Sequence, residues 1–291
     1  MALEKRLGGE SLELRRCRRC THGFLSHQPE HFESERYEYY RSLLTQPRAL
    51  RQTELNARRY RELLASWGAQ VRGRRLLDVG CGDGHLVAVA NESGWSARGI
   101  DMAEGAIEVA RAWGIPCARL DFFDRSLDEE RFDVIYMSEL VEHVPTPGSF
   151  LGRAESLLAP GGLVYLTTPN FDALARRALG GAWANIHFEH LGYFNQRSLE
   201  TLVNKATHLR IEVSSRNVAL PSIVRGLRAR VLPRAGTHGQ ADAGAAGATR
   251  DADQVLRRRI YGSPALLAGM RVANGLASAL RLGDTLVATL R

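Results

Sequence analysis

Cysteine, methionine and tryptophan are scarce in this chain, with four residues of each among 291. Four cysteines cannot supply the framework of a disulfide-rich secreted domain at this length. Long apolar runs are missing too: none reaches the length of a membrane-spanning helix, and residues 1–16 contain no apolar core of a signal peptide. These absences predict a cytoplasmic protein.

Acidic residues are outnumbered by basic ones. The 32 Asp and Glu stand against 39 Lys and Arg, which gives a net charge of +7 and an isoelectric point near 9.6. A basic chain can bind nucleic acid or an anionic membrane surface. Much of the excess, however, is arginine outside the central part of the chain, as at 15–19 and 257–259. We interpret it first as solvated surface, which disfavours nucleic acid as a partner.

A zinc site is suggested by one spacing, that of Cys17 and Cys20. Structural zinc takes four tetrahedral ligands, and this pair provides two. His22 and His27 could complete a site locally, or a second chain could. Because two cysteines alone seldom hold a metal, we predict that none is bound.

The first 70 residues are predicted to be helical. Between Tyr37 and Trp67 leucines recur at helical spacing among many charges, and Pro47 is expected to divide the segment in two. Residues 1–70 are therefore interpreted as a helical N-terminal segment.

From residue 71 to residue 218, short apolar strands alternate with helices, the pattern of a parallel sheet covered by helices. A Gly/Ala-rich stretch at 235–249 predicts a flexible loop within a helical insertion at 219–283, and residues 284–291 predict a closing strand. The predicted strands are 76–79, 97–100, 117–120, 133–137, 163–168, 210–218 and 285–290; the predicted helices are 85–91, 103–113, 149–158 with Ser149 as its N-cap, 198–206 and 254–283.

The strongest chemical signal is the segment Asp78-Val79-Gly80-Cys81-Gly82-Asp83-Gly84, which follows a predicted strand and precedes a predicted helix. Glycines let the turn run tight and let a ligand approach the backbone, while the first amides of the helix point toward that ligand. The dinucleotide fingerprint places a third glycine where this chain has His85. The Asp78 carboxylate would oppose a pyrophosphate but suits a ligand that carries an ammonium group, as methionine does.

A second carboxylate, Asp101, ends the next predicted strand 23 positions after Asp78. At that place an acidic side chain can accept both hydroxyls of a ribose. Many strands end in aspartate, so the residue alone means little. Combined with the glycine loop at this distance, it predicts a nucleoside ligand.

These motifs resemble the class I S-adenosylmethionine-dependent methyltransferase family. The resemblance covers residues 71–218, about half of the chain, and implies a Rossmann-like α/β fold whose seven-stranded sheet is mostly parallel, has helices on both faces and ends in an antiparallel strand. Phe132–Ile135 is similar to the family's fourth strand, and Leu158–Leu163 is similar to its turn into strand five. Glu139–Val144 and Glu189–Phe194 are similar to segments of the ubiquinone-biosynthesis-type small-molecule subgroup.

The resemblance implies S-adenosylmethionine as cofactor and assigns residues to it. Asp78 and the glycine loop would contact the methionine end, Asp101 the ribose, and Met102 the adenine. Asp121 and Phe122 would approach the adenine amine and face, and Glu139 would face the same cleft. The full set of implied cofactor residues is Asp78, Gly80, Cys81, Gly82, Gly84, Asp101, Met102, Asp121, Phe122 and Glu139.

Three histidines are candidate catalytic residues. An acceptor hydroxyl gains from a general base poised near neutral pH, and histidine is the usual one. His143 follows the predicted fourth strand, next to the cleft, while His187 and His190 lie in the aromatic segment 183–194. The alternative for each is structural: His143 would satisfy loop backbone, and the other two would brace the turn that follows.

The expected reaction is methyl transfer to a small-molecule acceptor, with O-methylation in a quinone, natural-product or saccharide pathway, by a monomer or homodimer. A nucleic-acid or protein methyltransferase is an alternative. Methylation of nucleic acid is disfavoured because Met137–Leu140 lacks the Asn/Asp-Pro-Pro-aromatic motif of base-modifying enzymes. A non-catalytic module that binds S-adenosylmethionine is the second alternative.

Two outlying regions carry expectations of their own. Cys17 and Cys20, with the aromatic cluster Tyr37–Tyr40, resemble the N-terminal zinc ribbon of some relatives, but the second cysteine pair is missing, so the segment is interpreted as a remnant. In the insertion 219–283, arginines alternate with apolar residues. We expect this region to cover the substrate, and a peripheral membrane contact is the alternative.

Overall fold

A computed structural model of the chain describes residues 3–7, 10–25, 54–187, 189–217, 223 and 264–291. The predicted flexible loop, Pro47, the Tyr37–Tyr40 cluster and most of the predicted insertion lie outside these residues. Within them, no helix combines the length and apolarity that crossing a bilayer requires.

The described residues form eleven strands and seven α-helices. The strands are β1 (Leu3–Leu7), β2 (Glu10–Arg16), β3 (Gly23–Leu25), β4 (Arg75–Val79), β5 (Ser96–Asp101), β6 (Cys117–Arg119), β7 (Phe132–Ser138), β8 (Leu158–Pro169), β9 (Gly192–Tyr193), β10 (Ile211–Arg216) and β11 (Thr285–Leu290). The helices are α1 (Glu54–Gly68), α2 (His85–Glu92), α3 (Glu104–Ala112), α4 (Pro147–Leu157), α5 (Leu174–Leu179), α6 (Gln196–Ala206) and α7 (Pro264–Ala279).

The main sheet has seven strands in the order β10-β11-β8-β7-β4-β5-β6. The five strands from β8 to β6 pair in parallel, whereas β11 pairs antiparallel with both β8 and β10. The carboxyl ends of β4, β5 and β7 therefore meet at one edge, where open parallel sheets bind ligands. The predicted fold, with its antiparallel last strand, is confirmed.

Side chains of the central strands alternate between two hydrophobic cores, one on each face of the sheet. Leu76 and Val134 enter the core that holds Trp67 of α1 together with α2 and α3. Leu77 and Ile135 enter the core formed with α4 and α6. Covering both faces explains why these strands read as nearly continuous apolar runs.

The N-terminal segment corrects the sequence-based expectation. Residues 3–7 and 10–25 are not helical: β1, β2 and β3 form an antiparallel sheet to which β9 adds a fourth strand. The signal for strands was the alternation of leucines with polar residues, as in Leu12-Glu13-Leu14, together with the hairpin-favouring Gly8-Gly9. Among the residues of this segment that the structure describes, α1 is helical, as predicted.

Three element ends also differ from prediction. Helix α4 begins at Pro147 after Thr146, so Ser149 is not its N-cap; proline favours the first turn of a helix. Strand β8 begins at Leu158 because that residue pairs with Phe132. Helix α6 begins earlier because Asn195 caps it in a reciprocal box with Ser198.

Candidate active site

The glycine loop lies between β4 and α2, at the carboxyl edge of the sheet. Gly80, Gly82 and Gly84 all have φ between 55° and 76°, the left-handed region that favours glycine. A side chain at Gly84 would also meet Cys117 Sγ at 2.7 Å. The loop is bonded to β5, since the amides of Gly80 and Cys81 donate to the carbonyl of Ile100 at 2.9 and 3.1 Å. The predicted strand–loop–helix setting is thus confirmed.

Asp101 connects the loop to the end of β5. Its Oδ2 accepts from the amide of Gly82 at 2.9 Å, and its Oδ1 accepts from the amide of Ala103 at 2.8 Å. Each carboxylate oxygen keeps a further lone pair for a ligand hydroxyl. Beside it, Met102 is 58% exposed, which leaves its thioether free to lie against a flat ligand.

Asp78 is buried at the end of β4. Burial raises the pKa of this carboxyl to about 8, and the negative charges of Asp101 and Asp83 add to the effect. A buried carboxylate is expensive unless a cation pairs with it. The site is therefore electrostatically suited to a ligand that brings a positive charge to this depth.

On the far side of β5, Asp121 Oδ1 accepts from the amide of Phe123 at 2.8 Å. The ring of Phe122 is buried and packs 5.6 Å from the ring of Phe150, whereas Phe123 is partly exposed. A ligand at this place would meet the backbone of Phe122 rather than the face of its ring. Cys81 is buried beside Cys117, and both sulfurs crowd Gly99.

Helix α1 contributes two residues that the sequence did not indicate. The ring of Tyr60 lies 5.2 Å from that of His85, the first residue of α2, and burial raises the Tyr60 pKa to about 12, with Asp78 adding to the rise. The charge of Arg59 opposes this rise and also opposes the rise that burial causes in the pKa of Glu139. Arg59 is an exposed positive charge on α1 that acts on both carboxyl- and hydroxyl-bearing neighbours of the loop.

The three candidate histidines come together. The ring of His190 lies 3.8 Å from that of His187 and 4.6 Å from that of His143, between centroids. His143 Nδ1 lies 2.9 Å from the carbonyl of Glu189, which fixes Nδ1 as the donor and leaves Nε2 with a lone pair. His190 is buried, and burial lowers its pKa to about 2, helped by its two histidine neighbours.

Glu142 is a further member of this cluster that sequence reasoning passed over. It is 1% exposed, and its Oε2 accepts from the hydroxyl of Thr168 at 2.9 Å, while Oε1 has no hydrogen-bond partner among the described residues. Burial raises its pKa to about 8, and the nearby charge of Glu139 contributes. Glu139 itself has φ 51° and accepts from the Thr167 hydroxyl at 3.1 Å.

Glu142, His143 and His190 place ligand atoms within 4.8 Å of one another. One carboxylate and two neutral imidazoles suit a divalent cation. Nδ1 of His190 also lacks a hydrogen-bond partner in the described part of the chain. Histidines that bind a metal through one ring nitrogen usually donate the other to a carbonyl or carboxylate, as His143 Nδ1 does to the carbonyl of Glu189.

The segment that carries His187 and His190 is held from two sides. The amides of Leu191 and Gly192 donate to the carbonyl of Glu142 at 2.8 and 3.1 Å. On the other side β9 pairs with β3, and Asn195 Nδ2 donates to the hydroxyl of Thr21 at 2.9 Å. The N-terminal sheet is thus part of the frame of the histidine cluster.

The Cys17–Cys20 pair lies in the turn between β2 and β3. Amides of Cys20 and Arg19 donate toward the Cys17 sulfur and lower the pKa of its thiol. Neither cysteine joins a group of three potential ligands within the described ranges. The prediction that this pair holds no metal stays a prediction.

Comparison with known families places residues 49–207, more than half of the chain, in a match to the family described as a methyltransferase domain. Among curated proteins, the ubiquinone biosynthesis O-methyltransferase of Bordetella avium is 32% identical over 116 residues, 38% of this chain and 48% of that protein. The enzyme of that name from Pseudomonas aeruginosa is 37% identical over 109 residues, 35% of this chain and 47% of that protein. The chain spans about half the length of the curated relatives it matches.

Solved structures with a similar fold include a SAM-dependent methyltransferase from Archaeoglobus fulgidus, with a TM-score of 0.51 at 18% identity, covering 82% of this chain and 94% of that one. A plantazolicin methyltransferase in complex with SAH has a TM-score of 0.53 at 16% identity, covering 89% of this chain and 91% of that one. At such identities the likeness establishes the fold alone.

Proposed function

Because the chain belongs to the methyltransferase-domain family, we propose that it transfers the methyl group of S-adenosylmethionine to a hydroxyl group of a small molecule. One observation carries the proposal. The glycine loop, with Asp78 and Asp101, lies at the same sheet edge as the buried cluster of Glu142, His143 and His190. A nucleoside-binding half and an acceptor-activating half would therefore lie at one edge of the sheet.

In the cofactor half, Asp78 would receive the ammonium group of the methionine moiety, and Arg59 would receive its carboxylate. Asp101 would bind the ribose hydroxyls, and Met102 would cover the adenine. Asp121 and the backbone of Phe122 would meet the adenine edge. These assignments are supported by the burial of Asp78 and by the bonds that fix Asp101 to the loop.

In the acceptor half, the sulfonium already makes the methyl group electrophilic, so the protein chiefly has to align it with the acceptor oxygen. Such orientation can contribute about 7–11 kcal/mol in favourable cases. Glu142, His143 and His190 would hold a divalent cation, which lowers the pKa of a bound hydroxyl. His187 is half-buried at the side of this cluster and would take the released proton.

The acceptor class follows from chemistry and from the relatives. A cation site of this kind suits a phenol or a pair of adjacent hydroxyls, and the curated relatives are named for O-methylation in ubiquinone biosynthesis. Phenolic quinone precursors are therefore the first acceptors to test, followed by natural-product and saccharide hydroxyls.

Calorimetry with S-adenosylmethionine and S-adenosylhomocysteine, followed by mass spectrometry of candidate acceptors, tests the proposal. We expect heat with both compounds and a methyl-sized mass gain on a phenol. No heat with either compound would overturn the cofactor assignment. Heat without any methylated acceptor would favour a non-catalytic binding module, and methylation of RNA or protein would favour the other alternative.

A further inference from the structure

Helix α7 and the residue after it present an apolar stripe to solvent. Val272 and Leu276 on α7 and Leu280 just beyond its end are 63%, 61% and 66% exposed. The amide of Leu280 donates to the carbonyl of Leu276, so the three residues, four apart, share one face. The helix is anchored beside the stripe, since Ala277 is buried in the core that α7 shares with α5 and its carbonyl accepts from the hydroxyl of Ser215 on β10.

The stripe continues onto a neighbouring element. Leu174, the first residue of α5, is also exposed, and its amide donates to the carbonyl of Leu282, just beyond the stripe. We call Leu174, Val272, Leu276 and Leu280 the apolar patch. Isolated exposed leucines are ordinary, whereas a contiguous patch usually marks a contact surface.

The exposed charged residues next to the patch are arginines. Arg177 on α5 and Arg281 after α7 are both exposed, and residues 264–283 contain no Asp or Glu. Asp284, three residues after Arg281, is partly buried. Asp172, the nearest acidic residue before α5, already pairs with Arg16 at 3.3 Å. An apolar stripe bordered by arginine is typical of a helix that lies on an anionic lipid surface.

The position of the patch agrees with such a contact. β11 runs antiparallel to β8, so the turn from α7 into β11 lies at the carboxyl edge of the sheet, where Thr285 pairs with Pro169. This is the edge on which the glycine loop and the histidine cluster lie. A bilayer at the patch would face the same end of the molecule as the candidate active site.

We propose that the apolar patch and its flanking arginines, Arg177 and Arg281, dock this protein on the surface of an anionic bilayer. A second copy of the chain is the less suitable occupant. A two-fold symmetric contact brings a patch against itself, and this patch contains no carboxylate to meet its own arginines.

Vesicle flotation of the full chain tests the proposal. We expect flotation with an equal mixture of phosphatidylcholine and phosphatidylglycerol at low salt, and weaker binding with phosphatidylcholine alone or at high salt. Leu276→Asp should lower binding about tenfold, and Arg281→Gln about fivefold. Ala112→Asp, an exposed site on α3 beside the opposite end of the sheet, adds the same charge and should float like the wild type.

Flotation without cofactor or acceptor keeps this inference separate from the proposed methyl transfer. Absence of flotation with the anionic mixture, or equal flotation of Leu276→Asp and wild type, would overturn it. If Leu276→Asp converts a dimer into a monomer in light scattering, a second copy covers the patch. If that variant lowers the melting temperature well below that of Ala112→Asp, another part of the chain covers it. Both results count against the membrane.

Discussion

The two proposed halves of the active site are built in different ways. Apart from Arg59, the proposed cofactor half comes from one continuous stretch, from β4 to Asp121, and its key bonds lie within that stretch, as between Gly82 and Asp101. The proposed acceptor half joins residues 139–143 with residues 187–195, and the latter are held in turn by β3. The first half depends mainly on one segment of the chain, and the second on contacts between distant segments. The two should therefore fail independently.

The largest expected effect separates chemistry from cofactor binding. Glu142→Gln should lower kcat for methyl transfer by about 100- to 10,000-fold, because an amide cannot supply the carboxylate ligand that the proposed cation needs. Cofactor affinity measured by calorimetry should change less than about twofold, since an amide matches the shape of the carboxyl. Glu129→Gln, at an exposed position, is the control. A comparable loss of cofactor affinity in Glu142→Gln would end the division into two halves.

The reciprocal variant comes next. Asp101→Ala removes the carboxylate that binds the amides of Gly82 and Ala103 and is proposed to bind the ribose. The dissociation constant for S-adenosylhomocysteine should rise by about 100-fold or more, given two lost bonds to a charged group. Manganese binding to the acceptor cluster, followed by the paramagnetic signal of free metal, should stay as in wild type. Unchanged cofactor affinity would contradict the assignment.

A smaller effect should follow pH. Since the Asp78 pKa is raised to about 8 in the free protein, the carboxyl is protonated at lower pH and must release a proton before it can pair with an ammonium group. Affinity for S-adenosylhomocysteine should therefore rise by up to about tenfold per unit as the pH approaches 8 from below. Calorimetry in two buffers of different ionisation enthalpy would detect the proton release. Asp78→Asn should bind weakly and without this pH dependence; a parallel profile in that variant would assign the titration to another group.

The smallest effect concerns the frame of the acceptor half. Asn195 caps α6 and also bonds to Thr21, so Asn195→Ala should lower the free energy of unfolding by about 1–2 kcal/mol in urea titrations. Asn204→Ala, at an exposed position in the same helix, should be neutral or slightly stabilising because alanine has the higher helix propensity. Equal stability of the two variants would show that neither the cap nor the bond to Thr21 contributes.

The sequence predicted the local half far better than the remote one. The glycine loop, Asp101 and the strands around them depend on residues close in the chain, so spacing and turn chemistry were sufficient. The three histidines were named from the sequence and lie together in the structure, but the way in which β3 and the Glu142 carbonyl hold them was not predicted, because those contacts join residues far apart in the chain. Glu142 was passed over although it stands beside His143: nothing in its spacing shows that it is buried.

The prediction for the N-terminal segment was wrong for a different reason. The helical pattern of residues 54–67 was extended over the whole segment, although residues 3–16 alternate with a period of two. Arg59 and Tyr60 were missed because a helical pattern shows which residues share a face, and not which loop that face meets. The packing of α1 against α2 decides which of its side chains reach the glycine loop.

The place of β11 fixes the order in which the sheet can be completed. This strand follows β10 in the chain yet inserts between β10 and β8. Until β11 has been synthesised, β8 therefore keeps one open edge and β10 has no partner strand. A nascent chain halted before residue 285 would expose those unpaired backbone groups, which invite association with other chains. The last strand to be made is thus the one that covers the open edge of the parallel sheet.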